Sequence, residues 1–236
     1  MSNKRSSIDK FLKYLNTTVG RDKINRILQY IFKFILALCI KYYNKEEINI
    51  WFRNIIKNIQ LSRKFFRIGR PLEHLNTFYK TLNVKDDFSK YCVLFRNLSY
   101  AIYLTFDMII WIHKSGILKY ENINLISMNA QIFWLIGISS GIFNEIYKLK
   151  KKTEKYQIIK NIQIDNENEN ETKKKKINQQ NNIFDKHYLI LIQYLCDFFQ
   201  PISSLGIYRI DPIYLALFGI ISSILGIYFQ WIKVNG

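Results

Sequence analysis

Apolar residues recur at three- and four-residue intervals near the start of the chain: Ile8, Phe11, Leu12 and Leu15, then Ile24, Ile27, Leu28, Ile31 and Ile35. This period marks helices with one apolar face. The polar interruption 16-NTTVGRDK-23 holds Gly20 and cap-forming residues, and it divides the stretch in two. A third helix is predicted over 45–68 and a fourth from Pro71 to Leu82. The polar stretch 83-NVKDDFSK-90 then makes a turn before an apolar pattern resumes over 91–118. Strand-type alternation is scarce and no internal repeat is visible, so the pattern predicts an all-α fold.

Four later stretches are apolar enough to concern a membrane. The clearest is 213-IYLALFGIISSILGIYFQWI-232, uncharged over the length of about 20 residues that a bilayer core requires of a helix. Its terminal Tyr and Trp residues and the following Lys233 match interfacial anchors. A second, 122-NINLISMNAQIFWLIGISSGIFN-144, is uncharged between Glu121 and Glu145. Residues 98–118 contain Asp107, and residues 188–208 contain Asp197 and Pro201. An unpaired carboxylate in mid-bilayer is costly. Asp107 and Asp197 therefore belong either to a polar path or helix–helix hydrogen bond, or to interfacial helices whose carboxylates are wet. Gly219 with Ser223, and Ser222 with Gly226, are small residues four apart, a helix-packing pattern that permits self-association in lipid.

The fold class is thus an all-α integral membrane protein with N-terminal amphipathic helices and two to four apolar membrane segments. The layout comprises a cytosolic amphipathic region (1–97), a membrane hairpin (98–147), a disordered basic and acidic linker (148–182), and a C-terminal membrane hairpin (183–236) that includes the span 213–232. With paired hairpins, both termini and the linker share one side, which satisfies the bias of Lys and Arg toward the cytoplasm.

Charge sharpens the choice of partner. Lys and Arg exceed Asp and Glu by 35 to 18, a net +17, while the C-terminal quarter is balanced. Such an excess implies an acidic partner, either nucleic acid or lipid head groups. No recognised nucleic-acid module accompanies it, so nucleic acid is set aside, and the membrane segments argue against reading 173-KKKK-176 as a nuclear signal. Cys39, Cys92 and Cys196 are far apart among apolar residues and read as buried reduced thiols. The N-terminus lacks the apolar core of a secretory signal, and the ending WIKVNG is neither a peroxisomal matrix tripeptide nor a retention signal. No phosphate loop, nucleophile elbow or zinc motif occurs, and His74, His113 and His187 lack metal-site spacing. The reading is a non-enzyme without cofactor or metal.

The helix over 46–68 carries the strongest two-sided pattern. At 100° per residue, Arg53, Lys57, Lys64 and Arg67 fall within a sector of about 80°. Trp51, Ile55, Ile59, Phe65 and Phe66 lie opposite. With Arg63 and Arg70 beside them, these cations form a candidate membrane-binding face, each contributing about 1 kcal/mol near anionic lipid. Gly69 suits a helix end and Pro71 the first turn of the next helix. The apolar side enters either the acyl boundary of a membrane or the core of a helical bundle.

The stretches 8-IDKFLKYLNTTVGRDKINRILQY-30, 62-SRKFFRIGRPLEHL-75, 100-YAIYLTFDMIIWIHKSGIL-118 and 204-SLGIYRIDPIYLALFGIISSILGIYFQW-231 resemble, in order, the peroxin-eleven family of peroxisomal membrane proliferation factors. The Lys- and Asn-rich insertion at 150–182 departs from it. The resemblance implies a multi-pass peroxisomal membrane protein with cytosolic termini, which remodels and elongates the membrane and promotes peroxisome division. The implied partners are anionic membrane lipids, further copies of the chain as a homo-oligomer, the dynamin-related fission machinery with its adaptors, and the import receptor for peroxisomal membrane proteins. It maps the amphipathic function to 51–82, with Arg63, Lys64, Arg67, Arg70 and Pro71 in the motif. A metabolite pore lined by Asp107 and Asp197 is the alternative.

Overall fold

A computed structural model describes residues 2–43, 45–164 and 170–236, with side chains except those of residues 2–5, 155, 156 and 158–185. The described residues form helices and turns, with no strand among them. In chain order these helices are α1 (Ser2–Leu15), α2 (Thr18–Tyr42), α3 (Glu46–Phe66), α4 (Arg70–Thr81), α5 (Asp87–Lys114), α6 (Ile123–Ile164), α7 (Asn170–Ser204) and α8 (Pro212–Asn235).

Local chemistry sets several of the boundaries. Thr17 Oγ1 accepts the Gly20 N–H at 3.0 Å and caps α2. Asp86 accepts the Ser89 N–H at 3.3 Å to cap α5, and Asp211 accepts the Ile213 N–H at 2.8 Å to cap α8, with Pro212 in its first turn. Gly116 and Gly206, with φ of 81° and 72°, follow the ends of α5 and α7 in the left-handed conformation that closes many helices.

The helices close into a ring. α5 packs on α6, α6 on α7, α7 on α8, α8 on α2, α2 on α3, and α3 returns to α5. α4 lies against α5, while α1 rests on α8 and α2. Because Gly219 meets Tyr30 and Gly226 meets Lys23, α8 runs antiparallel to α2. The Tyr14 and Trp231 rings are 5.7 Å apart, and Asn235 Nδ2 donates to the Lys10 carbonyl at 3.3 Å, so the two ends of the chain meet.

A small apolar core sits between α5 and α6, built from Tyr103, Leu104, Ile110 and Ala130. Elsewhere the usual polarity of a protein interior is inverted. Asp22, Arg26, Gln29, Asn97, Asp107, Glu145, Asp197 and Gln200 are buried, whereas Trp51, Phe65, Leu72, Phe95, Leu125, Phe143, Leu195 and Ile224 are exposed. Charged groups are rarely buried in a soluble protein unless paired, but a chain surrounded by lipid turns its ionisable residues toward the bundle interior. Among the described residues, three helical stretches are long and apolar enough to cross a membrane: Asp87–Lys114, Ile123–Glu154 and Pro212–Asn235. The fourth stretch, 188–208, which α7 covers as far as Ser204, is not among them; Gln193, Asp197 and Gln200 interrupt its apolar sequence.

The layout differs from the sequence expectation in the linker. Residues 148–164 continue α6 and residues 170–182 open α7, while 165–169 lie outside the described residues. Lys, Glu and Gln are good helix formers, and a helix nucleated in a packed segment propagates through them at little cost. Nor does the N-terminal region stand apart from the membrane hairpins, since α2 packs on α8 and both α3 and α4 pack on α5.

Candidate membrane-facing helix and its buried ion pairs

Two polar stripes run along the N-terminal helices. Asp22, Arg26, Gln29 and Lys33 follow at steps of four, three and four on α2; on α3, Gln60 is followed three and four residues on by Arg63 and Lys64, and these lead to Arg67 at the helix's C-terminal cap. Such steps keep a stripe on one helix face. The ring turns both stripes inward, where they meet carboxylates of the apolar helices.

Three carboxylates organise the interior. Asp22, 3% exposed, receives Arg63 Nε at 3.0 Å and Arg70 Nη1 at 3.4 Å, joining α2 to α3 and α4. Arg63 Nη1 also donates to Gln29 Oε1 at 2.6 Å. Asp107 on α5, likewise 3% exposed, pairs with Lys64 and with Arg67 Nη2 at 2.7 Å. Arg67 Nη1 donates to the Tyr103 hydroxyl at 2.8 Å. Asp197 on α7 pairs with Arg26 and accepts the Ser222 hydroxyl at 2.5 Å, linking α7, α2 and α8. Burial works against ionisation of Asp22, but Arg63, Arg67, Lys23 and Arg70 more than offset it and hold its pKa at about 2. A fourth buried carboxylate, Glu145 on α6, lies 2.5 Å from His187 Nδ1 and 3.4 Å from Lys148 Nζ.

This arrangement divides the basic face expected from the helical wheel. Arg63, Lys64, Arg67 and Arg70 do not form a lipid-facing row; they are turned inward and ion-paired. The physical reason is the presence of Asp22 and Asp107, which must find counter-charge once buried. Arg53 and Lys57 remain exposed. They share the outer surface of α3 with Trp51, 59% exposed, and Phe65, 54% exposed. Ile55, Ile59 and Phe66 are half-buried, toward the bundle. The Phe65 ring also lies 5.5 Å from that of Trp111 on α5. Gly69, with φ of 85°, makes the turn between α3 and α4, and Pro71 occupies the first turn of α4.

The remaining candidates are also drawn into the interior. Asp107 and Asp197 sit in ion pairs between helices rather than in contact with water at an interface. The small-residue pattern of α8 packs against α2 of the same chain. A Cβ placed on Gly219 would lie 2.1 Å from the Tyr30 ring, and one on Gly226 would lie 3.1 Å from Lys23 Nζ. Ser222 binds Asp197, and the Ser223 hydroxyl donates to the Gly219 carbonyl at 2.6 Å. Sequence reasoning missed Asp22, Arg26 and Gln29. Their three- and four-residue spacing was the available signal, but attention to the apolar period of α2 concealed it.

The comparisons with known proteins agree with this membrane architecture. The family model for Peroxisomal biogenesis factor 11 (PEX11) matches residues 8–231. Peroxisomal membrane protein PMP30B of Candida boidinii is 30% identical, with 95% of this chain and 94% of the relative covered. Peroxisomal membrane protein PMP27 of Saccharomyces cerevisiae is 24% identical, over 95% and 94%. Peroxisomal membrane protein 11A of Homo sapiens is 22% identical, over 93% and 94%. No solved structure matches. A family match that runs through all eight helices, from α1 to the last turns of α8, places this chain in the PEX11 family of peroxisomal membrane proteins.

Proposed function

We propose that the protein, within its role in peroxisome biogenesis, remodels and elongates the peroxisomal membrane and so promotes peroxisome proliferation and division. The observation that carries this reading is the outer surface of α3 and α4. Trp51, Phe65, Leu72 and Tyr79 are exposed there, and the exposed Arg53 and Lys57 lie along one edge of that surface. Aromatic and aliphatic side chains beside unpaired cations suit the boundary between head groups and acyl chains. Held beside the apolar helices by Asp22 and Asp107, this surface acts as a wedge in one leaflet. Association of copies, through exterior faces rather than the α8 seam, concentrates the wedges. The same reading has both termini in the cytosol, which requires α7 to cross beside α5, α6 and α8, its Asp197 paired with Arg26; the contact between α1 and the end of α8 favours this layout. There they would be accessible to the import receptor and to the dynamin-related fission machinery with its adaptors.

The test uses the full chain reconstituted in vesicles with and without anionic lipid. Wild type is expected to draw anionic vesicles into tubules, and Arg53→Glu with Lys57→Glu to abolish this while leaving membrane insertion intact. Equal tubulation by the double variant would contradict the role of the outer cations. A metabolite pore would need Asp107 and Asp197 along an open path, whereas both are engaged between helices; remodelling is therefore the reading adopted.

A further inference from the structure

Inside the ring of helices lies a cavity of about 260 Å³, bounded by residues of α2, α3, α5, α6 and α7. Its lining is unusual in charge. Arg26, Lys33, Arg63, Lys64 and Lys114 contribute to it, and no carboxylate does. Asp197, Asp22 and Asp107 neutralise Arg26, Arg63 and Lys64 from behind the wall. Lys33 and Lys114 have no carboxylate within ion-pair distance among the described residues, so positive charge is left over where the helices converge. The buried Gln131 Oε1 has no hydrogen-bond partner, and Gln131 lines the same space. Rotation of that amide about its last torsion would offer two N–H donors to an acceptor in the cavity.

Lys33 is half-buried and Lys114 is exposed at the end of α5, so this positive charge runs from the interior of the bundle to its edge, where an anion can reach it. Ammonium and guanidinium groups converging with amide donors suit a phosphate, which accepts several charge-assisted hydrogen bonds at once. The volume is several times that of one water and admits a phosphate with a small ester group. From this convergence we propose that the cavity is a binding site for a phosphate monoester, gripped by Lys33, whose ammonium otherwise lies over the Tyr30 ring at 5.0 Å, together with Lys114 and Gln131. The state of Lys33 agrees: burial, followed by Arg63 and Arg26, pulls its pKa down to about 8, a penalty that a bound dianion would relieve. Two sources share this chemistry, the head group of a phospholipid and a free phosphorylated metabolite. The site does not depend on the remodelling reading.

Binding is tested on the purified full chain in a neutral detergent, by thermal unfolding against three probes. The probes are inorganic phosphate, glycerol 3-phosphate and short-chain phosphatidic acid, with chloride at matched ionic strength as control. Wild type should gain melting temperature with at least one probe and not with chloride. In Lys33→Gln with Lys114→Gln, the concentration giving half of that gain should rise at least tenfold. Lys13→Gln with Lys85→Gln, which removes the same charge from exposed positions away from the cavity, should respond as wild type does. A response to phosphatidic acid alone assigns the site to a lipid head group, and a response to the soluble probes assigns it to a free phosphate ester. Because neither lysine is ion-paired, the double variant should fold, with a ligand-free melting temperature at or above that of wild type. No phosphate-specific gain in wild type, or an undiminished gain in the Lys33 and Lys114 variant, would overturn the proposal.

Discussion

Asp107 shows how one side chain ties the two halves of this chain together. It lies in an apolar helix, 3% exposed, and its counter-charges Lys64 and Arg67 come from the C-terminal end of the amphipathic α3 and its cap. Replacing it with Ala leaves both cations without this counter-charge in the interior, and the expected cost is about 3–5 kcal/mol. Arg53→Ala on the exposed side of α3 should stay within about 0.5 kcal/mol. Thermal unfolding of the two variants in detergent checks the contrast; similar losses would contradict the inward ion pair. Asp22 gives a pH-dependent counterpart. Its folded pKa of about 2 lies below the ordinary 3.8 because Arg63 and its neighbours outweigh burial. The stabilisation, about 2 kcal/mol, is present above pH 3.8 and is lost as the pH falls toward 2. The stability gap between wild type and Asp22→Asn should therefore narrow over that window. A gap unchanged from neutral pH down to pH 2 would count against the pairing.

At the scale of elements, the helices themselves were legible. The three- and four-residue period gave α1 and α2, the long apolar runs gave α5, α6 and α8, and Gly69 with Pro71 marked the turn before α4. What the period does not encode is which face a helix turns inward. An apolar stripe points to the core in water but to lipid in a membrane, and the same pattern on α3 supports both. The choice here was set by long-range partners, Asp22, Asp107 and Asp197, whose proximity to Arg63, Lys64 and Arg26 no local pattern carries. The small residues of α8 make the same point, since their spacing allows close approach without naming the neighbour. Gly219 is taken by Tyr30 of α2. A Gly219→Val variant should force α2 and α8 apart at a cost of about 1–3 kcal/mol. It should leave self-association unchanged when unfolding and crosslinking are measured together, whereas dissociation of an oligomer without loss of stability would assign the seam to a second copy.

For the molecule as a whole, polar stripes inside and aromatic and aliphatic side chains outside make one consistent arrangement. The N-terminal helices supply cations to the apolar helices, the apolar helices hold the N-terminal helices beside the membrane, and the outer surface of α3 is left to meet lipid. The orientation of α3 is the central claim, and spin-label accessibility measures it most directly. The full chain, with Cys39, Cys92 and Cys196 replaced by Ser, would carry single labels at Trp51, Phe65, Arg63 or Arg67 in anionic vesicles. Labels at Trp51 and Phe65 should be reached by oxygen dissolved in the lipid, and labels at Arg63 and Arg67 should be shielded from both oxygen and a water-soluble relaxant. Ready access of the aqueous relaxant to positions 63 and 67, with 51 and 65 shielded, would contradict it.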